Sequence, residues 1–272
     1  MKLQRYIHGL IVVAATACLL AMSNPAVADA SLVREQKTVV INGVGETWRL
    51  EWQATPLSVC GADDVETALA CPCSGFAYGE AGKLSLVRAR PGATAERLEL
   101  TPHFKGNEVP GAGGLAVLQR WRPIPAMIHS EDDDWRHASD FNFLKRVQAR
   151  VPSELMRIAD YNHDGRASEF LLQVGNKPCG KHMLVLVGVS RFNPQLHLFA
   201  SAEAPDTPLV LGSRAWEAVR KSIKPDRVVE WSCADHTSAV ESTVTVAVHG
   251  GVFHVQREDR PCPQEGFEGD DR

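Results

Sequence analysis

Asp160-Tyr-Asn162-His-Asp164-Gly165 is the stretch where residue type and spacing most clearly add up to a chemistry. Three short oxygen-bearing side chains stand at alternate positions, and a glycine follows where the backbone must turn sharply. One tight loop of this kind can wrap a hard cation, calcium above all, in carboxylate and amide oxygens. Asp160, Asn162 and Asp164 would take positions 1, 3 and 5, with Gly165 at the left-handed turn. The Arg166 carbonyl would follow at position 7, Ser168 would reach the ion through water, and Glu169 could close the far side. The same residues also favour Asx turns that hold no metal, because Asp and Asn side chains bond amides two residues on.

Two other groupings invite a catalytic reading. His129, Glu131, Asp132, Asp133, Asp134, His137 and Asp140 crowd into twelve residues. They could chelate a metal or supply paired carboxylates for acid–base work, as in a secreted hydrolase. Runs of like charge normally face water, however, and an exposed acidic loop is the preferred reading. Trp231-Ser-Cys233-Ala-Asp235-His236 places a thiol, a carboxylate and an imidazole close together, but neighbours on a strand point to opposite faces. A disulfide is the expected role of Cys233. Lys177-Pro-Cys179-Gly-Lys181-His182 reads in the same way, as a loop pinned by its cysteine. No nucleophile elbow, phosphate loop or dinucleotide fingerprint is present, so no catalytic residue is assigned.

The elements around the Asp160 loop are legible from periodicity. Phe143 to Val151 carries apolar residues at helical spacing. After Pro152, Ser153 is placed to cap a short helix through Leu155, Met156 and Ile158. Phe170 to Val174 then reads as a strand leaving the loop. Elsewhere Trp48, Leu50 and Trp52 alternate with Arg49 and Glu51, and Asn42-Gly43 supplies a hairpin turn behind Thr38–Ile41. Leu84–Val87, Arg97–Leu100, Leu115–Trp121, Gln195–Ala200 and Val228–Trp231 are further strand candidates. Met183–Val189 is apolar throughout, as a strand buried on both faces would be. Val244, Val246 and Val248 share one face ahead of a Gly250-Gly251 hairpin turn. Ser213 should cap a helix carrying Trp216, Val219 and Ile223, stopped by Pro225. About ten strands and two or three short helices predict a mainly β (α+β) fold, an antiparallel β-sandwich or a small barrel or propeller-like sheet.

Residues 160–171 resemble an EF-hand loop at their start. They depart from it at position 12, where Leu171 stands in place of the bidentate Glu, and a strand follows instead of a helix. A loop running straight into a strand is more similar to the calcium loops of FG-GAP or VCBS repeats. Those loops carry Asp where this chain has Ser168. The resemblance implies one structural Ca2+ held by Asp160, Asn162, Asp164, Arg166, Ser168 and Glu169. Tyr78–Ser85 echoes the spacing with Ala77, Gly79 and Ala81 at the ligand positions, which removes any second loop. The chain as a whole resembles exported bacterial proteins to which no activity is attached.

Export is the expectation from the first 28 residues. Lys2 and Arg5 precede an uncharged apolar run, and Ala26-Val-Ala28 offers a cleavage site. Losing this signal peptide would take the formal charge from −4 to −6, leaving a mildly acidic domain over 29–263 with a possible sub-boundary at 125–142. An acidic tail, 264–272, would follow it. This charge, with no basic block, argues against nucleic acid as a partner, and no later segment is apolar enough to span a membrane. A periplasmic or extracellular location follows. Cys60, Cys71, Cys73, Cys179, Cys233 and Cys262 form an even set, which in an exported chain predicts disulfides whose connectivity spacing cannot choose. The functional expectation is a non-catalytic module that binds a protein or a glycan.

Overall fold

The computed structural model describes residues 32–60, 76, 79–104, 109, 111–120, 149, 151–177, 181–233, 235 and 238–263, all in one compact unit, Ser31–Arg272. The chain is mainly β, with four sheets whose pairs are antiparallel except one. Among the described residues none of these sheets closes into a barrel.

Strands β1 (Leu32–Ile41) and β2 (Val44–Trp52) form the expected hairpin, with Asn42 and Gly43 both at positive φ as a two-residue turn requires. With β5 (Leu84–Ala89) and β6 (Glu96–Glu99) they make the first sheet, in the order β1-β2-β5-β6. Its inner face buries Trp48, Leu50, Trp52, Leu84 and Leu86. On the other face Glu51 is ion-paired with Arg49 and Arg97, each at 2.8 Å, and accepts a hydrogen bond from Arg97. A small sheet of β3 (Leu57–Val59), β4 (Gly79–Gly82) and β7 (Ala116–Gln119) has its own cluster around Phe76, Ala81 and Val117.

The central sheet is built on β9 (Lys181–Gly188), flanked by β8 (Glu169–Lys177) on one edge. On the other edge lie β10 (His197–Leu198) and β13 (Val210–Gly212). Val185 and Val187 of β9 join the core that includes Trp48 and Leu50. Leu184 and Leu186 pack into a second core with Trp216, Val244, Val246 and Phe253. Apolar partners on both faces explain the uninterrupted hydrophobic run. The second core is closed by the last sheet, ordered β12 (Ala204–Pro208), β11 (Ala200–Ser201), β16 (Val252–Pro261), β15 (Val240–His249), β14 (Asp226–Trp231). Gly250 and Gly251, both at positive φ, make the β15–β16 turn. Cys233 and Cys262 are disulfide-bonded to one another, and Cys60 is also disulfide-bonded.

Helix expectations fare less evenly. Helix α1 (Ser213–Lys221) buries Ala215, Trp216 and Val219, but its cap is Gly212, Ser213 is already helical, and Ile223 is exposed beyond its end. Ser153–Ile158 is not helical. Its Leu155 and Met156 amides donate to the Glu35 carboxylate at 2.7 and 3.1 Å, and Glu154 pairs with Lys37, so β1 holds the segment in an open course. The 143–148 part of the other helix, Cys71, Cys73, Cys179, and the 1–28, 129–140 and 264–272 segments lie outside the described residues.

Candidate functional site: the 160–169 loop

The loop is pinched at its base by a bridge, with the Ala159 amide donating to the Glu169 carbonyl at 2.8 Å and the reverse bond at 3.1 Å. Between these points the side chains of Asp160, Asn162 and Asp164 turn onto the loop's own backbone. Asp160 accepts from the amides of Asp164 (3.1 Å) and Gly165 (3.0 Å). Asn162 Oδ1 accepts from the Asp164 amide at 3.0 Å, and Asp164 Oδ1 accepts from the Arg166 amide at 3.0 Å. His163 and Gly165 both take positive φ, which lets two successive reversals fit inside six residues.

Outside contacts then fix the loop in the fold. Asp164 Oδ2 accepts from the Arg191 amide at 2.6 Å. His163 Nε2 lies 2.7 Å from the Val219 carbonyl, so this nitrogen carries the hydrogen and donates to the last turn of α1. Tyr161 is buried with its ring edge-on to Trp216, centroids 6.2 Å apart. Where β8 begins, Gly188 of β9 passes so close that any Cβ there would overlap the Ser168 carbonyl.

Ser168 and Glu169 lie behind the loop, fully buried. Glu169 Oε2 accepts from the Tyr161 amide at 2.9 Å, and Oε1 lies 2.9 Å from Ser168 Oγ. Ser168 Oγ is also 2.9 Å from the Val189 carbonyl, which can only accept. Burial pushes the Glu169 carboxyl up to about 8, against the pull of the Tyr161 and Ser168 hydrogen bonds; the Asp164 and Asp160 charges add to the rise. A protonated Glu169 donates to Ser168 Oγ, freeing the serine hydrogen for Val189. Every bond then has one hydrogen.

Asp160, Asn162, Asp164 and Arg166 thus gather at the loop, while Ser168 and Glu169 are engaged inward. Among the described residues no three Asp, Glu, His or Cys side chains converge as a metal-holding group. Asp164 Oδ2 also accepts from Asn162 Nδ2 at 3.2 Å, but both Asp160 oxygens and Asp164 Oδ1 accept one amide each and keep a second lone pair. With Asn162 Oδ1 and the Arg166 carbonyl they are an all-oxygen donor set. That chemistry fits a hard cation completed by water, and fits a soft one poorly. Sequence reasoning missed the clasp by Arg191 and the tie from His163 to Val219, because both partners are remote in the chain. Of the second constellation, Cys233 is in its disulfide, Asp235 pairs with Lys181, and His236 is outside the described residues.

Comparison with family models, with curated proteins and with solved structures finds no match to this chain. The class that fold and site define is therefore a structural one: a mainly β chain of stacked sheets, with an acidic Asx loop clamped against its one described helix.

Proposed function

We propose that this chain is an exported, non-catalytic binding module. Its β scaffold is fastened by disulfides and by one structural calcium ion in the 160–169 loop, and its loops meet a protein or glycan partner in the periplasm or outside the cell. The observation that carries the calcium reading is the gathering of Asp160, Asn162 and Asp164 around one turn, with Glu169 buried behind them and, among the described residues, no cationic side chain bonded to Asp160, Asp164 or Glu169. A cation there would offset the Asp164 and Asp160 charges, which add to the rise that burial imposes on Glu169. The ion would be held by Asp160, Asn162, Asp164 and the Arg166 carbonyl, and its role would be to stiffen the link from β8 to α1. The non-catalytic reading is supported by Cys233, whose sulfur is committed to Cys262 and is no nucleophile.

Calcium titration by calorimetry, with melting curves in calcium and in chelator, tests the reading. About one ion per chain is expected, with a dissociation constant of about 10⁻⁴–10⁻³ M because no bidentate ligand closes the loop. The melting temperature should rise with calcium, and Asp160→Ala should abolish both the heat and the rise. No heat and no shift would reduce the loop to a metal-free Asx turn.

A further inference from the structure

We propose that the cleft between β9, β13, β14 and the first turn of α1 binds a small amphipathic anion, an oxyanion head on an apolar body. The cleft encloses about 510 Å³, within the range of small-molecule sites. Its apolar wall is made by Met183, Val210, Leu211 and Val228. Its charged lining is unbalanced: Lys177, Lys181, Arg214 and Arg257 face one lining carboxylate, Glu230.

Two of those cations are already held. Arg257 donates to Glu230 at 2.8 Å and to the Val210 carbonyl at 2.7 Å, while the other Glu230 oxygen accepts from the Gly212 amide at 2.9 Å. Lys181 pairs with Asp235, its ammonium 4.0 Å from the centre of the Trp231 ring. Lys177 and Arg214 make no ion pair with any described residue. Lys177 is moreover the cross-strand partner of Lys181 where β8 meets β9. Like charges placed directly opposite cost stability, and the Asp235 and Trp231 contacts account for Lys181 alone of the two. An anion seated between them would turn that repulsion into attraction.

Two further donors suit such a head group. The His182 imidazole borders the cleft, and burial holds its pKa down, so it is neutral at neutral pH with one N–H to offer. Gly212 gives α1 no side-chain cap, and the first-turn amides at 213–215, which lack intrahelical acceptors, belong to the same wall. Basic rim and apolar wall together select an amphiphile over a bare anion or a neutral lipid.

Calorimetry on the purified protein with octanoate and octyl phosphate tests this, with inorganic phosphate and 1-octanol as probes lacking the body or the head. One amphiphile per chain should bind, at least tenfold more tightly than either control, and the tighter of the two identifies the head group. Lys177→Gln with Arg214→Gln should weaken it by about tenfold at a melting temperature no lower than the wild type's, since neither side chain has an ion-pair partner to lose and the Lys177–Lys181 repulsion is relieved. No heat from either amphiphile, octanol binding as tightly as octanoate, or an unaffected double variant would each overturn the proposal. The cleft contains no residue of the 160–169 loop, so binding that persists in chelator stands whatever becomes of the calcium reading.

Discussion

Glu46 and Glu169 are both buried carboxylates, and the chain treats them in opposite ways. Glu46 sits at the end of the first sheet's inner face, where Arg88 donates to it at 2.6 and 2.9 Å and Trp48 Nε1 at 3.3 Å. Burial alone would push its pKa up, but the Arg88 and Trp48 hydrogen bonds and the Arg88 charge outweigh that, and the net direction is down. Glu169 is also buried and also accepts from a backbone amide, but there burial dominates, the Asp164 and Asp160 charges add to it, and the carboxyl rises to about 8. Burial pushes both carboxyls up; at Glu46 the Arg88 and Trp48 interactions reverse that rise, whereas at Glu169 burial prevails over neutral donors and the neighbouring Asp charges add to it. In the proposed calcium state the ion would do for the loop what Arg88 does for the first sheet.

The sharpest way to break this contrast is to titrate stability in chelator. Between the ordinary carboxylate value of 4.5 and about 8 the folded chain keeps a proton on Glu169 that the unfolded chain has released. Its contribution is therefore complete at low pH and is lost as pH rises through about 8, on the order of 5 kcal/mol across the window. Denaturant melts of wild type and Glu169→Gln should differ in slope with pH in this direction, and parallel curves would refute the assignment. Glu46 predicts the reverse: its stabilisation is present above the ordinary carboxylate range and is lost as pH falls through its lowered value.

A somewhat smaller effect is expected from Arg88→Met. It leaves Glu46 buried without its partner and also removes the bond to the Pro194 carbonyl, so a loss of about 3–5 kcal/mol follows. Adding Glu46→Gln to that variant should recover part of the loss, because no buried charge then remains; failure to recover would mean that packing, and not charge, governs this corner. Smallest of all, Asp164→Asn removes one of the two charges that lift Glu169. The midpoint of the pH-dependent stability should move down by about one unit or less, in chelator. A midpoint that stays put would show that burial alone sets the Glu169 pKa.

Much of the scaffold could be read from residue order. Alternation in β2, the Asn42-Gly43 and Gly250-Gly251 turns, and the all-apolar β9 each carry a local physical signature that the fold obeys. The 153–158 segment had an equally good local signature, for a helix, and lost it to Glu35 and Lys37, which stand more than a hundred residues away. Strands β3 and β4 escaped notice because Gly79, Ala81 and Gly82 have little β propensity; partners on both sides of β4 make them strands. At the loop, composition revealed which side chains gather. It could not reveal that Glu169 turns inward to Tyr161 and Ser168, since that depends on β9 passing tightly behind it.

The Cys233–Cys262 bond has a kinetic meaning beyond its place in the last sheet. The two cysteines bracket a plain hairpin, β15 and β16, whose register runs from His249↔Val252 at the turn to Val240↔Pro261 at the open end. Zipping that hairpin from its turn, a microsecond event in isolation, sets Cys262 beside Ala239, one short connection away from Cys233. The C-terminal meander is thus positioned to oxidise as an early, self-contained step. The slower search is left to contacts such as Ser201↔Phe253, which join it to the rest of the chain.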